Sequence, residues 1–174
     1  MNRKKDEKHI LSLMVDNRPG VLSRIVGLFS GRGFNIESLC VAETAEAEVS
    51  RITLVTCGDM VVIEQIQKQL NKLINVIKVV AFADTAFVQR DLALIKVSAK
   101  PENRAEILRI TDIFRGRVVD VGMECYTLEV TGDLDKIDAI LGLLRPMGIK
   151  EIARTGTIAL PREKRNKEST DGED

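Results

Sequence analysis

The residues best placed to do chemistry in this chain sit in one short stretch, Asp16-Asn17-Arg18-Pro19-Gly20-Val21-Leu22, directly ahead of an apolar helix pattern. A helix starting there leaves the amides of about Gly20, Val21 and Leu22 without intrahelical partners, at the positive end of the helix dipole. A carboxylate fits such a terminus. Pro19 holds Arg18 extended and fixes its own φ, while Gly20 admits a ligand to the backbone with no Cβ in the way. Asp16 or Asn17 can accept hydrogen bonds from an ammonium group, so the turn can hold both ends of one amino acid. The competing reading is structural: proline and glycine begin helices well, and Gly33-Phe34-Asn35 further on stops one and starts a strand.

Catalytic groups are otherwise scarce. The single histidine, His9, has no second histidine and no cysteine pair to join, so neither a zinc site nor a Ser-His-Asp triad can be assembled. Cys40, Cys57 and Cys125 are odd in number and far apart, which fits small strand or core residues rather than disulfides or CxxC metal ligands. Glu43, Glu46 and Glu48 lie in a polar hairpin loop, where nothing fixes a carboxylate for acid–base work. The expectation is a chain with no catalytic residue, no metal and no cofactor of its own.

The elements that must position the turn follow from periodicity. Leu11, Leu13 and Val15 alternate as in a half-buried strand; Val21, Leu22, Ile25, Val26, Leu28 and Phe29 then take helical spacing up to Gly31-Arg32-Gly33. Strands are expected near Ile36 to Thr44 and Arg51 to Thr56. A helix carrying Ile63, Ile66, Leu70, Leu73 and Ile74 follows, and then a strand from Val76 to Phe82. That order is βαββαβ, a four-stranded antiparallel sheet with two helices on one face.

The order repeats: strand 91–98, helix 102–115 with Ile107, Ile110 and Phe114 inward, strands 118–122 and 124–131, helix 134–145, and a strand from Ile149 to Leu160. The letters repeat too. TLVTCGD at 53–59 matches TLEVTGD at 127–133, and the same shift of 74 carries Ile63, Ile66 and Leu70 onto Ile137, Ile140 and Leu144. FSGR at 29–32 resembles FRGR at 114–117. The expected architecture is α+β, two tandem ferredoxin-like βαββαβ units over residues 8–83 and 84–160, with a flexible polar tail at 161–174. In the second unit Leu92, Leu94, Val118, Val121, Tyr126 and Leu128 are expected to form most of a core ladder. Its strand-to-helix turn, Ser98 to Asn103, lacks the glycine of the first.

In the 174 residues, Lys and Arg number 26 and so do Asp and Glu, which gives no global positive field for nucleic acid or an anionic membrane. The expected central strands, Ile10 to Val15 and Arg51 to Thr56, also lack the aromatics on which RNA bases stack. No stretch approaches the roughly 20 apolar residues of a membrane span, so a cytoplasmic protein is expected.

ILSLMVDNRPGVLSRIVGLFSGRGFNIESL, followed by SRITLVTCGD and IEQIQKQLNKLINVIKV, closely resembles the regulatory (small) subunits of acetolactate synthase, and its first unit resembles an ACT domain. The likeness runs over roughly residues 8 to 160 and includes FRGRVVDV in the second unit. It implies a non-catalytic partner of a large catalytic subunit in branched-chain amino acid synthesis. That large subunit is expected to carry the thiamine diphosphate, magnesium and FAD. The small chain is expected to raise its activity and to make it sensitive to valine. The resemblance further implies a homodimer of side-by-side ACT domains with the branched-chain amino acid effector between them. One wall of that site is then Asn17, Pro19, Gly20, Val21 and Leu22, with Asp16 beside it, and the other is Asn35 and Ile36 of the neighbouring chain. Many ACT domains carry aspartate where Asn17 stands, which leaves the ammonium partner open between Asp16, Asn17 and a partner-chain carbonyl. An alternative within the same likeness is an ACT-domain amino-acid sensor serving a different enzyme. The second unit is expected to support dimerisation and contact with the catalytic subunit.

Overall fold

Alternating apolar residues set the first sheet. In the computed structural model, which describes residues 7–83 and 86–163, Leu13 stands opposite Ile52 and Leu11 opposite Leu54, all on the face that receives the helices. The first six elements are β1 (Lys8–Asp16), α1 (Val21–Ser30), β2 (Ser38–Glu43), β3 (Val49–Cys57), α2 (Met60–Leu70) and β4 (Val76–Ala81). Their strands lie in the order β2-β3-β1-β4, every neighbour antiparallel. Val21, Ile25 and Phe29 from α1 and Ile63, Ile66 and Leu70 from α2, at three- and four-residue spacing, fill the space above that face.

The second unit repeats this with β5 (Phe87–Ser98), α3 (Arg104–Ile113), β6 (Arg117–Val121), β7 (Cys125–Gly132), α4 (Leu134–Leu144), β8 (Ile149–Arg154) and β9 (Ile158–Pro161). Its sheet runs β6-β7-β5-β8, the order of the first, with β9 paired to β5 besides. The fold is therefore α+β, two ferredoxin-like units in tandem.

The repeated Gly-Asp pair has one physical cause in both copies. Asp59 and Asp133 are N-caps with extended backbones, and each carboxylate accepts the amide three residues on, from Val62 and Lys136, at 2.9 Å. Before each cap stands a glycine whose added Cβ would lie 2.9 Å from the Val62 side chain or 2.4 Å from that of Lys136. FSGR and FRGR, by contrast, are not equivalent. After α1 the chain takes residues 31–37 to reach β2, with Gly33 left-handed at φ 70°; after α3 it takes only 114–116, with Arg115 left-handed at φ 51°.

The expected ladder of the second unit is out of step by one residue on β5. Ala93, Ile95 and Val97 face the helices, whereas Leu94 is exposed, and on β6 so is Val121. Apolar residues at successive positions 92–95 fit either face, so alternation alone does not decide. Tyr126 and Leu128 are core as expected.

The two units share a seam. β5 is long because its halves have different partners: Ala93–Val97 pairs β8, and Phe87–Arg90 pairs β9. The single strand expected from Ile149 to Leu160 is thus two, broken at Gly156 with φ 82°, and Phe87–Arg90 is strand rather than linker. β9 brings Ala159 onto the helix-free face of the first sheet, where Ile10, Val55, Phe82 and Ala159 form a third buried cluster edged by Val80 and Phe87. Thr157 N donates to Ser38 Oγ at 3.1 Å, locking the break to β2. Pro161, expected to open a free tail, closes β9, and Arg162 N donates to Ala86 O at 2.8 Å; residues 164–174 lie outside the described residues.

At Gly156 an added Cβ would stand 2.7 Å from Ser38 Oγ, on a backbone that L side chains rarely adopt. Gly156→Ala is expected to lower stability by about 1–3 kcal/mol in urea unfolding. Gly27→Ala, in open space on the exposed side of α1, is expected to raise it by about 0.5–1 kcal/mol. Equal midpoints for the two variants would remove the role assigned to the break.

Candidate functional site

The turn between β1 and α1 is built around one left-handed residue. Gly20, the N-cap of α1, has φ 83° and ψ −9°, makes no side-chain cap, and an added Cβ would meet nothing within 4 Å. The left-handed backbone therefore calls for glycine, and the space beside it is open. Val21 N reaches back to Arg18 O at 3.4 Å and Arg24 N to Gly20 O at 3.1 Å. The amides of Gly20, Leu22 and Ser23 have no protein acceptor among the described residues. Three such donors at a helix start are groups that a carboxylate can accept from.

The predicted residues divide by role. Leu22 is exposed beside these amides and can touch an apolar side chain, whereas Val21, expected to offer a free amide, is buried in the core and its N–H is taken by Arg18 O. Asp16 is half-buried and fastened: its Oδ2 accepts from Asn75 Nδ2 at 2.8 Å, and Asn75 Oδ1 in turn accepts from Arg24 Nη1 at 2.8 Å. Asn17 is exposed. Its backbone N donates to Glu48 O at 2.7 Å, and its side-chain Nδ2 donates to Glu43 Oε1 at 3.0 Å and to Ala47 O at 2.9 Å. Pro19 is exposed at the crest of the turn.

Asn35 and Ile36 lie elsewhere in the same chain. Asn35 O accepts from Thr56 Oγ1 at 2.6 Å, near the end of β3 opposite to Glu48, so roughly 25 Å of strand separates the two predicted walls. Asn35 Nδ2 donates to Glu37 Oε1 at 3.0 Å, and Ile36 packs half-buried against the first core. One protomer does not bring the two walls together.

Sequence reasoning missed Asn75, which fastens Asp16, and Glu43, which holds Asn17. Both partners come from distant segments, and nothing in local spacing points to them. His9 is a satisfied core residue, 8 % exposed, with Nε2 donating to Gly58 O at 3.0 Å. In the second unit, five residues rather than four join strand to helix, none left-handed, and the Arg104 guanidinium crosses the turn to Ala99 O at 2.9 Å and Met123 O at 2.7 Å.

A βαββαβ unit with an open, glycine-capped first turn belongs to the ACT class, and residues 11–78 match the family model described as an AHAS small subunit-like ACT domain. Residues 90–163 match the model for the small subunit of acetolactate synthase. The chain is 55 % identical over 163 residues to the acetolactate synthase small subunit of Aquifex aeolicus, covering 92 % of this chain and 84 % of that one. It is 52 % identical over 155 residues to the probable acetolactate synthase small subunit of Archaeoglobus fulgidus, covering 89 % and 97 %. The crystal structure of the Thermotoga maritima small subunit superposes with a TM-score of 0.82 at 40 % identity, over 91 % of this chain and 99 % of that one. The chain belongs to the family of acetolactate synthase small subunits.

Asn75 joins the ends of β1 and α1, so Asn75→Ala is expected to lower stability by about 1–2 kcal/mol in urea unfolding, two hydrogen bonds being lost. An unchanged midpoint would show that the turn holds its shape without it.

Proposed function

We propose that this chain is the regulatory subunit of acetolactate synthase in branched-chain amino acid synthesis, raising the activity of the large catalytic subunit and relaying feedback by valine. The observation that carries the reading is the turn at Gly20: three unbonded amides at a helix start, open space above them, and Asn17 and Leu22 beside them. The amides take the effector's carboxylate, Asn17 faces its ammonium group, and Leu22 touches its side chain. One methylene discriminates weakly in such a contact, so leucine and isoleucine bind the same place with affinities close to that of valine.

The second wall, Asn35 and Ile36, comes from a neighbouring protomer. β2 is an edge of the first sheet. Pairing two β2 edges about a two-fold sets one end of a sheet beside the opposite end of its partner, which is the arrangement needed for the two separated walls to meet. An effector shared this way changes how two protomers sit together, and a catalytic subunit docked on both feels it. A coupling of roughly 1–3 kcal/mol shifts activity several-fold to a hundredfold. The condensation chemistry and its thiamine diphosphate, magnesium and FAD belong to the large subunit, in the cytoplasm. The second unit, with Arg104 across its turn, serves dimerisation and contact with that subunit.

Gly20→Asp puts a carboxylate where the effector's own is held. Calorimetry is expected to show no valine binding in this variant while it still activates the catalytic subunit, and Gly20→Ala controls for the left-handed backbone. Valine binding unchanged in Gly20→Asp overturns the assignment. Hydrogen exchange of the complex with the catalytic subunit is expected to protect the second unit; protection confined to residues 7–83 overturns its docking role.

A further inference from the structure

Asn17 lacks the negative charge that an ammonium group favours, and the structure supplies one immediately behind it. Glu43 ends edge strand β2, and its Oε1 accepts from Asn17 Nδ2 at 3.0 Å, while Ala47 O takes the other donor of the same amide at 2.9 Å. With both N–H groups spent on the β2–β3 hairpin, the amide has one orientation, and Asn17 Oδ1 is left with no donor among the described residues. The Asn17 backbone is pinned to the same hairpin through Glu48 O. Asp16, the other acidic candidate, is held by Asn75.

The second unit shows what the fold does without this device. Ala99 N bonds Glu124 O just as Asn17 N bonds Glu48 O, so Ala99 stands in the place of Asn17 and Met123 O in the place of Ala47 O. There the carbonyl is capped by the Arg104 guanidinium, a cation. The hairpin is shorter as well, residues 122–124 against 44–48. The same turn thus has an anion-backed acceptor in one unit and a fixed positive charge in the other.

We propose that Glu43 is a positioning residue for the effector's α-ammonium group: its carboxylate orients the Asn17 amide with Oδ1 outward and adds negative charge behind it. This rests on the reading of the Gly20 turn as an amino-acid site. A carboxylate polarises the amide it accepts from, which strengthens Oδ1 as an acceptor, and the charge acts over one amide's length on an ammonium bound there. A ligand with a neutral hydroxyl in place of the ammonium keeps the oriented acceptor but gains little from the charge.

The test is calorimetry on the full-length chain at low salt with two probes: L-valine, and 2-hydroxy-3-methylbutanoate, which keeps the carboxylate and the branched skeleton but carries a hydroxyl in place of the ammonium. Glu43→Gln keeps an acceptor for Asn17 and removes the charge. It is expected to weaken valine about tenfold and leave the hydroxy acid within about twofold. Glu43→Ala removes the acceptor as well and is expected to weaken both probes. Valine affinity unchanged in Glu43→Gln, or both probes weakened equally, overturns the role of Glu43 while leaving the turn as a site. A wild-type chain that binds no valine overturns both.

Discussion

A sheet with helices on one side only has a second side that must be either polar or covered, and this requirement governs how the two units relate. On the first sheet the uncovered side carries Ile10 and Val55, too apolar to leave in water, and β9 of the second unit lies against them. On the second sheet the corresponding side bears the Lys96–Glu151 ion pair, with nitrogen and oxygen 3.7 Å apart, together with Thr127 and Thr131, beside Leu92 and Leu94. Its need of a cover is smaller. A duplicated fold has thereby become one packed body, with the second copy lending a strand to the first.

The copies agree in their helix-facing cores and differ in several of the links between elements. The Asp59 and Asp133 caps, the buried helix faces and the strand orders coincide. The first strand-to-helix turn, the α1–β2 link and the β2–β3 hairpin do not. Gly20 and Asn35 lie in the first two segments and Glu43 borders the third, so these differences fall in and beside loops on a shared frame, while β9 is a strand that the first unit lacks. A left-handed glycine at the helix start costs little where no side chain is wanted, and it keeps the first-turn amides clear.

Much of this was legible from residue order because several local signals had one physical cause each. Apolar spacing in α1, α2 and α4, the Gly-Asp caps and the alternation of β1 each follow from the residues beside them. What escaped depended on residues far along the chain. The face of β5 could not be read from an apolar run, and the break at Gly156 exists only because β5 divides its length between two partners. The likeness of FSGR to FRGR concealed links of different length. Glu43 sits among alanines and glutamates that suit a solvated loop equally well, and only the folded chain brings its carboxylate to an amide 26 positions away. The turn at Gly20 was visible as chemistry, but its left-handed backbone was not.

The strand that seals the first sheet is made late. During synthesis, residues 7–83 leave the ribosome with every element of their own sheet, yet Ile10, Val55 and Phe82 lack the cover of Ala159 until Ile158–Pro161 has emerged. The nascent chain therefore carries a sticky flank while residues 84–157 are made, a period in which chaperones and wrong partners compete for it.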